Sequence, residues 1–183
     1  MTTAIAPSEL APETQRVKTP ETVLKDVFGY DAFRDGQGEV IHQVCEGKDA
    51  LVLLPTGGGK SLCYQLPALC FDGLTVVVSP LIALMKDQVD KLNSNGIPAA
   101  IINSTQTAAE IYIVKSQAIR GSLKLLYVAP ERLAFPEFRQ FLRSVDVSLF
   151  AIDEAHCISE WGHDFRPEYR KLKLLRDDFP DVP

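Results

Sequence analysis

The chain has 183 residues, enough for a single hydrophobic core, and its 46% hydrophobic content is ordinary for a globular domain. Nineteen Lys and Arg against 24 Asp and Glu give a formal charge of -5. That balance excludes a protein that simply coats polyanions, so any nucleic-acid contact must come from a local patch, from stacking or from a partner domain. No apolar run approaches the ~20 residues of a membrane helix, so no membrane association is expected.

Residues 1–19 contain Pro7 and Pro12, show no periodicity and lack the long apolar stretch of a secretory signal. A flexible tail and an intracellular protein are expected. The four cysteines (Cys45, Cys63, Cys70, Cys157) form no C-x-x-C pair. They read as free thiols in a reducing compartment. Thr19 as cap and Pro20 at the first helical position open a helix that stops at Gly29. A second helix is expected over about 37–45, ending at Gly47.

From there the pattern alternates. Short apolar runs at 50–54, 74–79, 97–102, 123–128 and 147–152 predict buried strands, separated by amphipathic segments at about 60–70, 81–93, 106–120 and 135–143. Continuous apolar strands alternating with helices predict an α/β three-layer sandwich, a mainly parallel sheet covered on both faces. Phe165, Tyr169, Leu172 and Leu175 form one helical stripe beyond it. The final helix and FPDVP read as a return toward the sheet, so residues 20–183 are expected to be a domain cut before its end.

After the 50–54 run come Pro55-Thr56-Gly57-Gly58-Gly59-Lys60-Ser61 and a helical segment, the context of a phosphate-binding loop. Successive glycines let backbone N–H groups turn onto phosphate oxygens, including at positive φ. Lys60 is expected to reach the β- and γ-phosphates, and Ser61 to ligate Mg²⁺. The G-x-x-x-x-G-K-[ST] pattern fails at one place, where Leu54 replaces its first glycine. An acidic partner follows the 147–152 run as Asp153-Glu154-Ala155-His156. Asp153 is expected to hold Mg²⁺, and Glu154 to orient and deprotonate water. His156 suits coupling to a nucleic acid or a second domain, with a structural histidine as the bland alternative.

GGGKS with Asp-Glu-Ala-His resembles superfamily 2 helicases, and two further segments resemble the RecQ family. The first is Leu24-x3-Phe28-Gly29-x3-Phe33-Arg34-x2-Gln37. Its Gln37 amide suits the N6/N7 edge of adenine, and Tyr30 or Arg34 can stack on the ring. The second runs from Ala155 to Tyr169 and is similar to the family's aromatic-rich loop. In it Trp161, His163 and Arg166 read as sensors of single-stranded DNA, while Phe165 is open between base stacking and packing, and Tyr169 reads as core. Segments 78–88 and 129–133 resemble strand-end motifs that touch the DNA backbone, which nominates Ser79 and Arg132. The basic stretch Arg166, Arg170, Lys171, Lys173 and Arg176 reads mainly as a solvated helix face, with Arg166 as its nucleic-acid contact.

The resemblance implies the first RecA-like domain of a 3′ to 5′ DNA helicase of repair and recombination, a P-loop NTPase using ATP and Mg²⁺. A second RecA-like domain with an arginine finger is expected in the full-length chain, and weak activity without it. The alternative is a nucleotide-gated single-strand DNA-binding module without turnover. A nucleotide kinase would need an Arg-rich lid, which is not visible, and a DEAH-type RNA helicase would leave the Trp161 loop unexplained.

Overall fold

The computed structural model describes residues 19–55, 57–159 and 166–183. Helix α1 (Pro20–Phe28) starts where the Thr19 side chain accepts from the Thr22 N–H, and stops at Gly29 in the left-handed region. Only a residue without Cβ adopts that turn freely. Helix α2 (Gln37–Cys45) follows, and then two very short helices, α3 (Leu62–Gln65) and α4 (Pro67–Cys70). The single helix expected over 60–70 is divided because Pro67 has no N–H to give the turn before it.

The core is a parallel sheet of β1 (Leu74–Val78), β2 (Ala99–Ile102), β3 (Leu125–Val128) and β4 (Val147–Ile152), in the order β2-β3-β1-β4. All five residues of β1 are buried, as a strand covered on both faces requires. On one face, α6 (Ala108–Ile119), α7 (Pro136–Arg143) and α9 (Lys173–Asp178) supply Ala118, Phe138, Phe141, Leu142 and Leu175 to the core. Asp178 joins α9 to α7 through Arg139, at 2.9 Å, and Arg143. On the other face, α5 (Ile82–Ser94) supplies Met85, Val89 and Leu92, with Ala68 of α4 and Tyr127 of β3 beside them. Helices α1 and α2 pack on this layer through Val23, Leu24 and Ile41 around Leu66. The three-layer expectation is met.

One strand is not. Among the described residues the 50–54 run joins no strand of the sheet, and Leu51 and Leu53 are 80% and 86% exposed. Between it and the outer edge of β4 lies a groove of about 940 Å³, lined by Leu51, Leu53, Phe150, Ile152 and Leu172 among others. Apolar composition alone did not make this segment a strand. Arg176 binds both carboxylate oxygens of Asp49 at 2.7 and 2.8 Å across this groove. The Phe150 N–H donates to the Pro183 carbonyl at 2.9 Å.

The order of strands places the functional loops. Connections run to one side of β1 and then cross back to β4, so the chain reverses at the β1/β4 crevice. In open parallel sheets, ligands gather outside the carboxyl ends of strands at such a point. Ser79 and Asp153 stand there.

Candidate active site

A cleft of about 510 Å³ opens beside this crevice, lined by Tyr30, Arg34, Gln37, Gly57, Gly59, Lys60, Ser61, Asp153 and Glu154 among others. The sequence-predicted nucleotide residues thus meet in one place, drawn from the α1–α2 connection, the phosphate loop and the end of β4. Its size is that of a small-molecule site. Thr56 lies outside the described residues, as do Trp161, His163 and Phe165.

The loop is folded on itself. Gly57 and Gly59 sit at φ 78° and 77°, the left-handed region that glycine permits. The Gly58 N–H donates to the Pro55 carbonyl at 2.9 Å, and Lys60 Nζ donates to the Leu54 carbonyl at 3.3 Å. The Lys60 ammonium therefore rests on the loop's own backbone.

Gln37 clamps the loop from below. Its Nε2 donates to the carbonyls of Gly58 and Gly59 at 3.2 Å each, and its Oε1 accepts from the Arg34 N–H at 2.9 Å. The side chain is buried, and both amide hydrogens are used. Here the amide expected at an adenine edge faces the loop. Arg34 donates from Nη1 to the Gly57 carbonyl at 2.8 Å. Tyr30 is more than half exposed on the rim, with its ring available to stack.

Asp153 occupies the far wall. Its N–H donates to the Val78 carbonyl at 2.9 Å, continuing the β1/β4 ladder, and its Oδ1 accepts from the Glu154 N–H at 3.0 Å. Burial first, then the Glu154 charge, raises the Asp153 carboxyl above the usual range. The Glu154 N–H, Lys60 and Ser79 pull it back down. Glu154 is the one described non-glycine residue at positive φ (50°). Strained backbone of this kind is common where a side chain must be aimed. Its carboxylate lies 3.1 Å from His156 Nδ1, so the exposed His156 engages Glu154 in this state.

Behind the cleft is a polar group that the sequence pattern did not reveal. Gln65 Nε2 donates to Tyr127 Oη at 3.1 Å and to Gln88 Oε1 at 2.8 Å, tying α3 to β3 and α5. Tyr64 meets Tyr127 edge-on, with ring centroids 6.4 Å apart. Burial, the largest cause, pushes the Tyr64 and Tyr127 phenols upward, so both stay protonated. Glutamines within apolar helical segments were the available signal. Tyr169, read as core, is buried and also donates from Oη to the Asp153 carbonyl at 2.9 Å.

The residues fit a magnesium nucleotide. Ser61 and Asp153 both line the cleft and offer the hard oxygens that Mg²⁺ takes.

The remaining nucleic-acid candidates divide. Arg132 donates from Nη2 to the Asn103 carbonyl at 2.6 Å, bracing the loop after β2. Arg166 is partly exposed; its N–H donates to the Cys157 carbonyl at 2.9 Å and its guanidinium approaches Glu131 at 3.9 Å. Arg170, Lys171, Lys173 and Arg176 are exposed, the solvated face expected. Ser79 is corrected: it is 1% exposed with its hydroxyl turned inward, so that hydroxyl cannot grip a DNA backbone. No helix among the described residues is long and apolar enough to cross a membrane.

Comparison with known proteins agrees with this geometry. The ATP-dependent DNA helicase RecQ of Haemophilus influenzae is 59% identical over 165 residues, covering 90% of this chain and 27% of that protein. RecQ of Bacillus subtilis is 54% identical, covering 89% and 28%. The chain therefore spans about a quarter of the length of these curated relatives. Among solved structures, a hypothetical ATP-dependent RNA helicase from Sulfolobus tokodaii superposes with a TM-score of 0.64 at 21% identity, covering 89% of this chain and 47% of that one. The Mycobacterium smegmatis helicase Lhr, bound to ssDNA and AMP-PNP, gives 0.62 at 22% identity, covering 79% and 21%. These two show the fold alone. The DEAD/DEAH box helicase family matches residues 34–182, and the chain belongs to that family.

Proposed function

We propose that this chain is the ATP-binding half of a RecQ-type, 3′ to 5′ DNA helicase of repair and recombination. The observation that carries the reading is the convergence of Tyr30, Arg34, the phosphate loop and Asp153–Glu154 on one cleft. Tyr30 or Arg34 stacks on the base. Gln37 exchanges the loop carbonyls for the base edge when the loop opens. Lys60 leaves the Leu54 carbonyl for the phosphates, and loop N–H groups turn inward beside it. Ser61 and Asp153 would hold a Mg²⁺ ion, which would supply charge neutralisation on the phosphate oxygens. Glu154 takes a proton from the attacking water once its carboxylate is free of His156. Hydrolysis, not transfer to another acceptor, follows from that second carboxylate.

DNA is assigned to the loops at the carboxyl ends of the strands, with Arg132, Arg166 and His156 contributing. Trp161, His163 and Phe165 are assigned there from sequence. The RecQ relatives' greater length supports a second RecA-like domain that closes over the cleft. Turnover by this chain alone is then small, since an arginine finger contributes ~10³–10⁵ in rate.

The test is single-strand-stimulated ATP hydrolysis by the full-length protein, with Lys60→Ala and Trp161→Ala. Lys60→Ala is expected to abolish hydrolysis. Trp161→Ala should keep basal turnover and lose the response to DNA; a full response would remove the sensor assignment. Nucleotide-dependent strand binding with no turnover in the wild type would favour the binding-module alternative.

A further inference from the structure

Ser79 follows the last residue of β1, and Asp153 follows the last residue of β4. The strands are parallel neighbours in the register Thr75↔Leu149, Val77↔Ala151 and Val78↔Ile152. The next pair is therefore Ser79 with Asp153. Their Cβ atoms leave the sheet on the face that carries Val77 and Ala151. Ser79 is fixed by its own N–H, which donates to the Val128 carbonyl at 3.1 Å, and its hydroxyl has no full hydrogen bond among the described residues. Thr75 lies on the same face with an equally solitary hydroxyl, but its paired neighbours are Leu125 and Leu149. A lone buried hydroxyl is thus not informative by itself. What distinguishes Ser79 is its neighbour across the strands: the register that pairs Val78 with Ile152, and the Asp153 N–H donating to the Val78 carbonyl, put the Asp153 carboxylate next to it on the same face.

We infer that Ser79 is a positioning residue for the metal-holding carboxylate, its hydroxyl donating to the Asp153 oxygen that faces away from the cation. A carboxylate with one oxygen occupied by a fixed donor presents the other in one orientation. Groups that orient metal ligands in this way affect metal affinity by ~10–100-fold. The assignment replaces a DNA contact at Ser79 and rests on the nucleotide reading of the cleft.

The experiment is Mn²⁺ binding to the full-length protein with ADP, followed by electron paramagnetic resonance. It compares wild type, Ser79→Ala and Ser79→Thr, with thermal unfolding confirming that each is folded. Ser79→Ala is expected to weaken Mn²⁺ about tenfold, with metal-free ADP binding and single-strand DNA affinity unchanged. Ser79→Thr, which keeps the hydroxyl, should stay within about twofold of wild type, well inside that range. If threonine cannot be accommodated, Ser79→Cys, a weak donor of similar size, should fall between serine and alanine. Wild-type Mn²⁺ affinity in Ser79→Ala overturns the inference. So does an equal loss in a folded Ser79→Thr, or a loss of DNA affinity in place of metal affinity. A wild-type protein that binds no Mn²⁺ with ADP refutes the nucleotide reading itself and takes this inference with it.

Discussion

The two walls of the cleft are built by different means. Asp153 is an extension of the sheet: its N–H bonds to Val78, its carbonyl accepts from Tyr169, and Ser79 faces it from the next strand. The phosphate loop has no ladder on either side. Its shape comes from local turns, from Gln37 and Arg34 gripping its carbonyls, and from Lys60 folded onto Leu54. One wall is thus built by the sheet and the other by side-chain contacts, which in the proposed reading a nucleotide replaces. Elements that move on binding are drawn from the less stable parts of a fold.

The sharpest way to break this contrast is to alter chemistry on the rigid wall without altering its shape. Glu154→Gln keeps the size of the side chain and removes the proton acceptor. Hydrolysis should fall by ~10²–10⁴, the usual contribution of a general base, while nucleotide affinity stays near wild type. Single-turnover hydrolysis with a parallel binding titration checks both. Retained turnover would mean that another group activates the water.

On the phosphate-loop wall a change of shape should dominate. A Cβ on Gly59 would collide with Gln37 Nε2 and would be placed on backbone at φ +77°. The left-handed conformation alone costs ~1–2 kcal/mol for an L-residue, so Gly59→Ala should weaken nucleotide binding about tenfold or more. Gln37→Ala removes the clash and the clamp together. The double variant should therefore bind better than the sum of the single losses predicts, as expected of residues in contact. Strict additivity in binding titrations would separate Gln37 from the loop.

The same contrast decides what could be read from the sequence. Strands β1 to β4 and helices α1, α2 and α5 to α7 announced themselves because burial on known faces imposes periodicity, and caps such as Thr19 and Gly29 mark their ends. The motif residues around Lys60 and Asp153 were legible because phosphate and metal chemistry admit few residue types. Leu51 and Leu53 misled because apolar composition reports a tendency to be covered, not what does the covering. Gln37 misled in a different way. Its amide fits an adenine edge and two loop carbonyls equally well, and only the fold shows that the loop carbonyls are also within its reach. Gln65 and Gln88 were hidden because their partners lie on other strands and helices, a long-range fact that spacing does not encode.

The smallest expected effect tests whether the rigid wall carries a cost. The Asp153 carboxyl is raised above its ordinary value, chiefly by burial and then by Glu154. The native state therefore holds that proton more tightly than the unfolded chain, in which an aspartate titrates near ~3.9. Folding takes up a proton between the two values, so this group's contribution to stability falls as pH rises through that window. At neutral pH the whole penalty is present. Asp153→Asn carries no such penalty and should melt slightly higher than wild type at pH 7.5. Because Asp153 is partly exposed and solvent screens it, the gain is limited to a few degrees; for a domain this size ~1 kcal/mol moves Tm by ~2–4 °C. The gap should narrow on acidification, as the wild-type carboxyl takes up its proton. Calorimetry of both proteins at several pH values checks the sign. A variant that melts lower at pH 7.5, or a gap indifferent to pH, would show that the ladder and the Ser79 hydroxyl already compensate the buried charge.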